Sequence, residues 1–68
     1  MKTEHLSIKL ANNIRTRRGD KRQRAFAATL GISQSTLNKI ENNTGNVTLD
    51  TLNTMCKHLR CDIGDLFT

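Results

Sequence analysis

Four residues, Leu30-Gly31-Ile32-Ser33, restrict the possible folds of this chain more than any others. Ahead of them, Phe26, Ala27 and Leu30 fall on one face of a helix that starts near Arg22. Behind them, Leu37 and Ile40 mark a second helix that runs to about Asn42, with Ser33 as its N-cap. Gly31 lies where the first helix must stop, at a position suited to a left-handed residue. Ala27 lets the two helices cross closely, and Ile32 and Leu37 fill the angle between them. Two short helices joined by a tight, glycine-containing bend make a helix-turn-helix unit.

The rest of the chain has the same helical period, and no segment alternates as a strand would. Leu6, Leu10, Ala11 and Ile14 share one face of a first helix over about 5–18, which Gly19 ends. Arg15, Arg17 and Arg18 occupy its last turn, where cations suit the helix dipole. Asn43 to Asn46 read as a turn. Thr48 then caps a fourth helix that buries Leu49, Leu52, Met55, Cys56 and Leu59. Asp62 caps a last short turn bearing Ile63, Leu66 and Phe67, and Gly64 weakens it. The expectation is one all-α domain of five helices over residues 1–68. With 68 residues and 35% hydrophobic side chains there is enough for one small core and no second one.

Charge is unevenly placed. The net +5 comes from the segment Arg15–Lys39, where seven cations face a single anion, Asp20. Such a field attracts a polyanion, with nucleic acid ahead of an anionic membrane surface. Only two aromatics, Phe26 and Phe67, are present, so a base-stacking platform for single strands is disfavoured. Gln34, Ser35 and Asn38 occupy the outward face of the third helix, and their amides and hydroxyl suit base edges in a major groove. Arg17, Arg18, Lys21, Arg22 and Arg24 flank that face, where phosphates would lie.

Other chemistries find little support. No Ser/His/Asp set, phosphate loop or paired carboxylates appear, so no enzyme and no cofactor are expected. Cys56, His58 and Cys61 match no zinc spacing and lack a fourth ligand; the cysteines read as reduced, packed thiols. No apolar run reaches a membrane span, and residues 1–15 are too polar for a signal peptide, so a cytoplasmic location is the default. A cationic membrane-surface peptide is countered by the missing tryptophan and by a pattern that builds a core.

From Gln23 onward the chain resembles the Cro and phage-repressor (XRE-type, lambda-repressor-like) helix-turn-helix family. Gln23, Ala27, Leu30-Gly31-Ile32-Ser33 and Ser35-Thr36-Leu37-Asn38-Lys39-Ile40-Glu41 carry the resemblance. Thr48-Leu49-Asp50-Thr51-Leu52 and Gly64-Asp65-Leu66-Phe67 extend it. It implies a sequence-specific duplex-DNA-binding transcriptional regulator, a repressor, of phage or bacterial type. Such a regulator would bind as a homodimer to a two-fold operator with half-sites roughly 34 Å apart. Gln34, Ser35, Asn38 and Lys39 would face bases. Gln23 would contact phosphate and reach Gln34, and Asn42, Asn43 and Asn46 would approach the far phosphate strand. Glu41 would pair with an arginine near the end of the first helix, Arg15, with Arg17 as the fallback partner. Two departures stand out: Lys21 replaces a core leucine, and the Gly19–Gln23 loop is one residue longer. Ile63, Leu66 and Phe67 either close the core or meet a second subunit. The alternatives are an antitoxin or controller protein with a toxin partner, and a protein-interaction module that has kept the fold; the basic segment argues against the latter.

Overall fold

A computed structural model describes residues 5–44 and 47–68. These residues form four α-helices, α1 (Leu6–Arg18), α2 (Gln23–Leu30), α3 (Gln34–Glu41) and α4 (Leu49–Leu59), and a final 3-10 turn (Ile63–Phe67). The fifth element is thus a 3-10 turn rather than an α-helix. Five residues containing Gly64 are too few to nucleate an α-helix. The element still has the predicted start, a capping box in which the Asp62 N–H donates to Asp65 Oδ2 at 3.0 Å.

Where a side chain can cap, the helix starts as the sequence indicates. Ser33 Oγ accepts from the Thr36 N–H at 3.0 Å, and Thr48 Oγ1 from the Thr51 N–H at 3.1 Å. Three ends share one geometry in which two backbone N–H groups fold back on the last turn. At α2 the Gly31 N–H reaches Ala28 O and the Ile32 N–H reaches Ala27 O, with Gly31 at φ 74°. At α3 Asn43 plays the same part at φ 55°, and at α4 Arg60 does, also at φ 55°. Cys61 N–H to Cys56 O, 3.1 Å, completes the α4 closure and brings the two free thiols to its apolar contact position. Burial pushes the Cys56 thiol up, and Cys61, Asp62 and Asp65 add to the effect. Both cysteines are partly buried and pack against the core.

The core gathers Leu10 and Ile14 of α1, Phe26, Ala27 and Leu30 of α2, Leu37 and Ile40 of α3, Leu52 and Met55 of α4, and Leu66. α1 lies against α3 and the 3-10 turn, while α2 lies between α3 and α4. Leu66 is fully buried, so it closes the core and is not free to meet a second subunit. Phe67 is half-buried against the same cluster, and Ile63 stays about half exposed. Leu49, placed in the α4 core stripe by its period, is instead exposed, as the first residue of the helix.

Candidate nucleic-acid interface

The third helix presents its polar side outward because Leu37, Ile40 and Glu41 turn inward. Gln34, Ser35, Asn38 and Lys39 are all exposed. Gln34 directly follows the Ser33 cap, at the positive end of the α3 dipole. Its amide makes no side-chain hydrogen bond to another of the described residues, so it is free to meet a ligand.

Beneath this face lies a charge held inside the protein. Glu41 is 3% exposed and receives Arg18 through two hydrogen bonds, Nε to Oε2 at 2.7 Å and Nη2 to Oε1 at 2.9 Å. The predicted partner, Arg15, is exposed and does not make the pair. The correction follows from helix phase: Arg18 lies one turn beyond Ile14 and two beyond Ala11, both buried, whereas Arg15 falls beside that stripe. A third Arg18 bond, Nη1 to Lys21 O at 2.9 Å, ties in the loop after α1. Burial pushes the Glu41 carboxyl up, but the Arg18 hydrogen bonds, the Gln23 amide and the Arg18 and Arg15 charges outweigh it. The carboxyl therefore ends below the usual carboxylate range. Arg18 is committed to Glu41 and leaves the set of expected phosphate contacts.

The remaining cations divide by engagement. Arg15, Arg22, Arg24 and Lys39 are exposed, and Arg22 sits at the N-cap of α2, where backbone N–H groups also favour an anion. Lys21 is exposed, with Nζ 6.0 Å from the Phe26 ring centroid, so in place of a core leucine it lays its stem near that ring. Arg17 turns toward the C-terminal turn, donating to Asn13 Oδ1 at 2.7 Å and more weakly to Asp65 O at 3.5 Å.

The amides also differ from expectation. Gln23 is directed at Glu41, its Nε2 donating to Oε1 at 3.2 Å and to Asn38 Oδ1 at 3.5 Å; it does not bond Gln34. Asn42 Nδ2 donates to Asn38 Oδ1 at 2.9 Å, which draws that amide along the helix face. Asn43 serves the left-handed end of α3, and Asn46 lies outside the described residues. The structure thus brings Gln23, Asn38, Glu41 and Asn42 into one network. Sequence reasoning missed this network, although the spacing of Asn38 and Asn42, one helical turn apart, was a signal for it.

Among the described residues no group of His, Cys, Asp and Glu could hold a metal, and no helix is long and apolar enough to cross a membrane. Compared with known proteins, residues 9–68 match the family model of the Cro/C1-type HTH DNA-binding domain. No curated protein and no solved structure matches the chain.

Proposed function

Since the chain belongs to the Cro/C1-type helix-turn-helix DNA-binding family, we propose that it is a sequence-specific transcriptional regulator that represses from a two-fold operator. The observation that carries this reading is the amide of Gln34, exposed at the start of α3 and without a side-chain partner among the described residues, with Arg22 and Arg24 also exposed on α2 and its N-cap. The start of such a helix enters the major groove, and a carboxamide there matches the N6/N7 edge of adenine. Arg22, at the α2 N-cap, contacts the phosphate that fixes the register. Two copies bind the two half-sites, and the exposed Ile63 with the edge of Phe67 is the apolar surface offered for that pairing.

A binding selection on randomised duplexes tests the assignment. Gln34→Ala costs about 1–3 kcal/mol on the best site and relaxes one base pair in each half-site. Arg22→Ala weakens all sequences alike, because a phosphate contact carries no base information. If Arg22→Ala changes the preferred base and Gln34→Ala changes none, the placement of α3 in the groove is wrong.

A further inference from the structure

Asn38 has only one face left for a ligand. Its carbonyl oxygen accepts from Gln23 Nε2 at 3.5 Å and from Asn42 Nδ2 at 2.9 Å. Two donors occupy both lone pairs of Oδ1, while the two Nδ2 hydrogens have no partner among the described residues.

The direction of this amide is set from below. An Asn side chain can in principle be turned over to exchange oxygen and nitrogen, and its neighbours decide which way it stands. Glu41 is an ionised carboxylate held by Arg18, so it can only accept. Gln23 must therefore turn its nitrogen, not its oxygen, toward Glu41 Oε1 at 3.2 Å. That same nitrogen faces Asn38, which has to answer with its oxygen. Turned over, Asn38 would set one N–H group against another.

We propose that the Arg18–Glu41 pair, acting through Gln23, fixes Asn38 as a donor-only reader that selects guanine over adenine at one base pair of the half-site. The proposal rests on the reading of α3 as the groove helix. An asparagine that recognises adenine needs its oxygen for the N6 amino group and its nitrogen for N7. Here the oxygen is already taken. Guanine offers O6 and N7, both acceptors, to the two free Nδ2 hydrogens, and cytosine offers only its N4 amino donor. Asn38 thus has the preference usual for a cation, with no charge of its own. Gln23 is a positioning residue in this scheme, because it acts on DNA through Asn38.

The test has two arms. In the first, a randomised half-site selection compares the wild type with Asn38→Ala, which locates the dependent base pair, and with Gln23→Met, which keeps the shape of the side chain but removes the donor. The expected result is a guanine preference over adenine of about tenfold at that pair, falling below about threefold in Gln23→Met. Adenine as the preferred base, no pair that responds to Asn38→Ala, or an unchanged preference in Gln23→Met would overturn the proposal. In each of those cases selective binding itself survives, so the regulator reading stands. Loss of all sequence-selective duplex binding by the wild type would overturn both. The second arm needs no DNA: in the free protein, the side-chain amide protons of Gln23 and Asn42 exchange with solvent more slowly than those of Asn38, measured by nuclear magnetic resonance. The opposite order would overturn the fixed polarity whatever the chain binds.

Discussion

Glu41 keeps a charge in the interior because three donated hydrogen bonds, two from Arg18 and one from Gln23, replace the water it gives up. Removing it leaves those donors without an acceptor. Glu41→Ala therefore costs about 2–3 kcal/mol, less than a fully buried pair, because the Arg18 side chain retains 26% exposure. In a domain of this size that lowers Tm by roughly 10–20 °C, while Arg15→Ala stays within a few degrees of the wild type. A calorimetric melt that ranks the two variants the other way would make Arg15 the partner. The pH dependence follows from the lowered pKa of Glu41. A group lowered on folding stabilises fully above its unfolded value, about 4.3, and its contribution is lost as pH falls through the folded value. Melts from pH 7 to pH 3 should lose less stability in Glu41→Gln than in the wild type. The identity of this pair is also where the sequence was least legible. A glutamate beside an arginine cluster is easy to see, but which arginine it meets depends on the angular position of the last turn of α1. Only the stripe set by Ala11 and Ile14 fixes that angle.

At the level of helices, starts were easier to read than ends. Ser33 and Thr48 cap through their own side chains, and Asp62 with Asp65 three residues on opens the last turn as a capping box, so these identities announce the three starts. Gly31 announced an end because glycine takes a left-handed conformation without strain. Arg60 gave no such signal: an arginine at φ 55° carries a local cost that the Cys56–Cys61 closure offsets. The two positions therefore respond in opposite directions. Gly31→Ala forces a β-carbon into the left-handed region and sets it 2.7 Å from Nδ1 and Nε2 of the His58 ring. We expect a loss of about 1–2 kcal/mol, most of which persists in a His58→Ala background, because an exposed ring can turn aside. Arg60→Gly relieves the same strain at some entropic cost and gains about 0.5–1 kcal/mol. Urea titrations of the three variants check both signs.

Across the whole molecule, the segregation of charge was legible from counting alone, yet the count overstated the free cations. Arg18 is bound to Glu41 and Arg17 leans on Asn13, which leaves the Arg15, Lys21, Arg22, Arg24 and Lys39 side chains without a hydrogen-bonding partner among the described residues of that segment. With about five phosphates neutralised per subunit, log K should fall against log salt with a slope of roughly −4 to −5. Arg22→Ala should reduce that slope by about one, and a flat profile between low and physiological ionic strength would exclude phosphate contact as the source of affinity. The role of Leu66 was not legible, because an apolar residue near a surface turn suits a core and a subunit contact equally. Only the docking of the turn on α1 decides for the core. That docking also bears on synthesis. Asn13 Nδ2 donates to Asp65 O at 2.8 Å across 52 residues, and Leu66 belongs to the cluster that covers Ile14. The helix-turn-helix closes through contacts near in sequence, which form early. The first helix, by contrast, stays without part of its cover until residues 63–67 have left the ribosome, so a stalled nascent chain would expose Leu10 and Ile14 to chaperones and proteases.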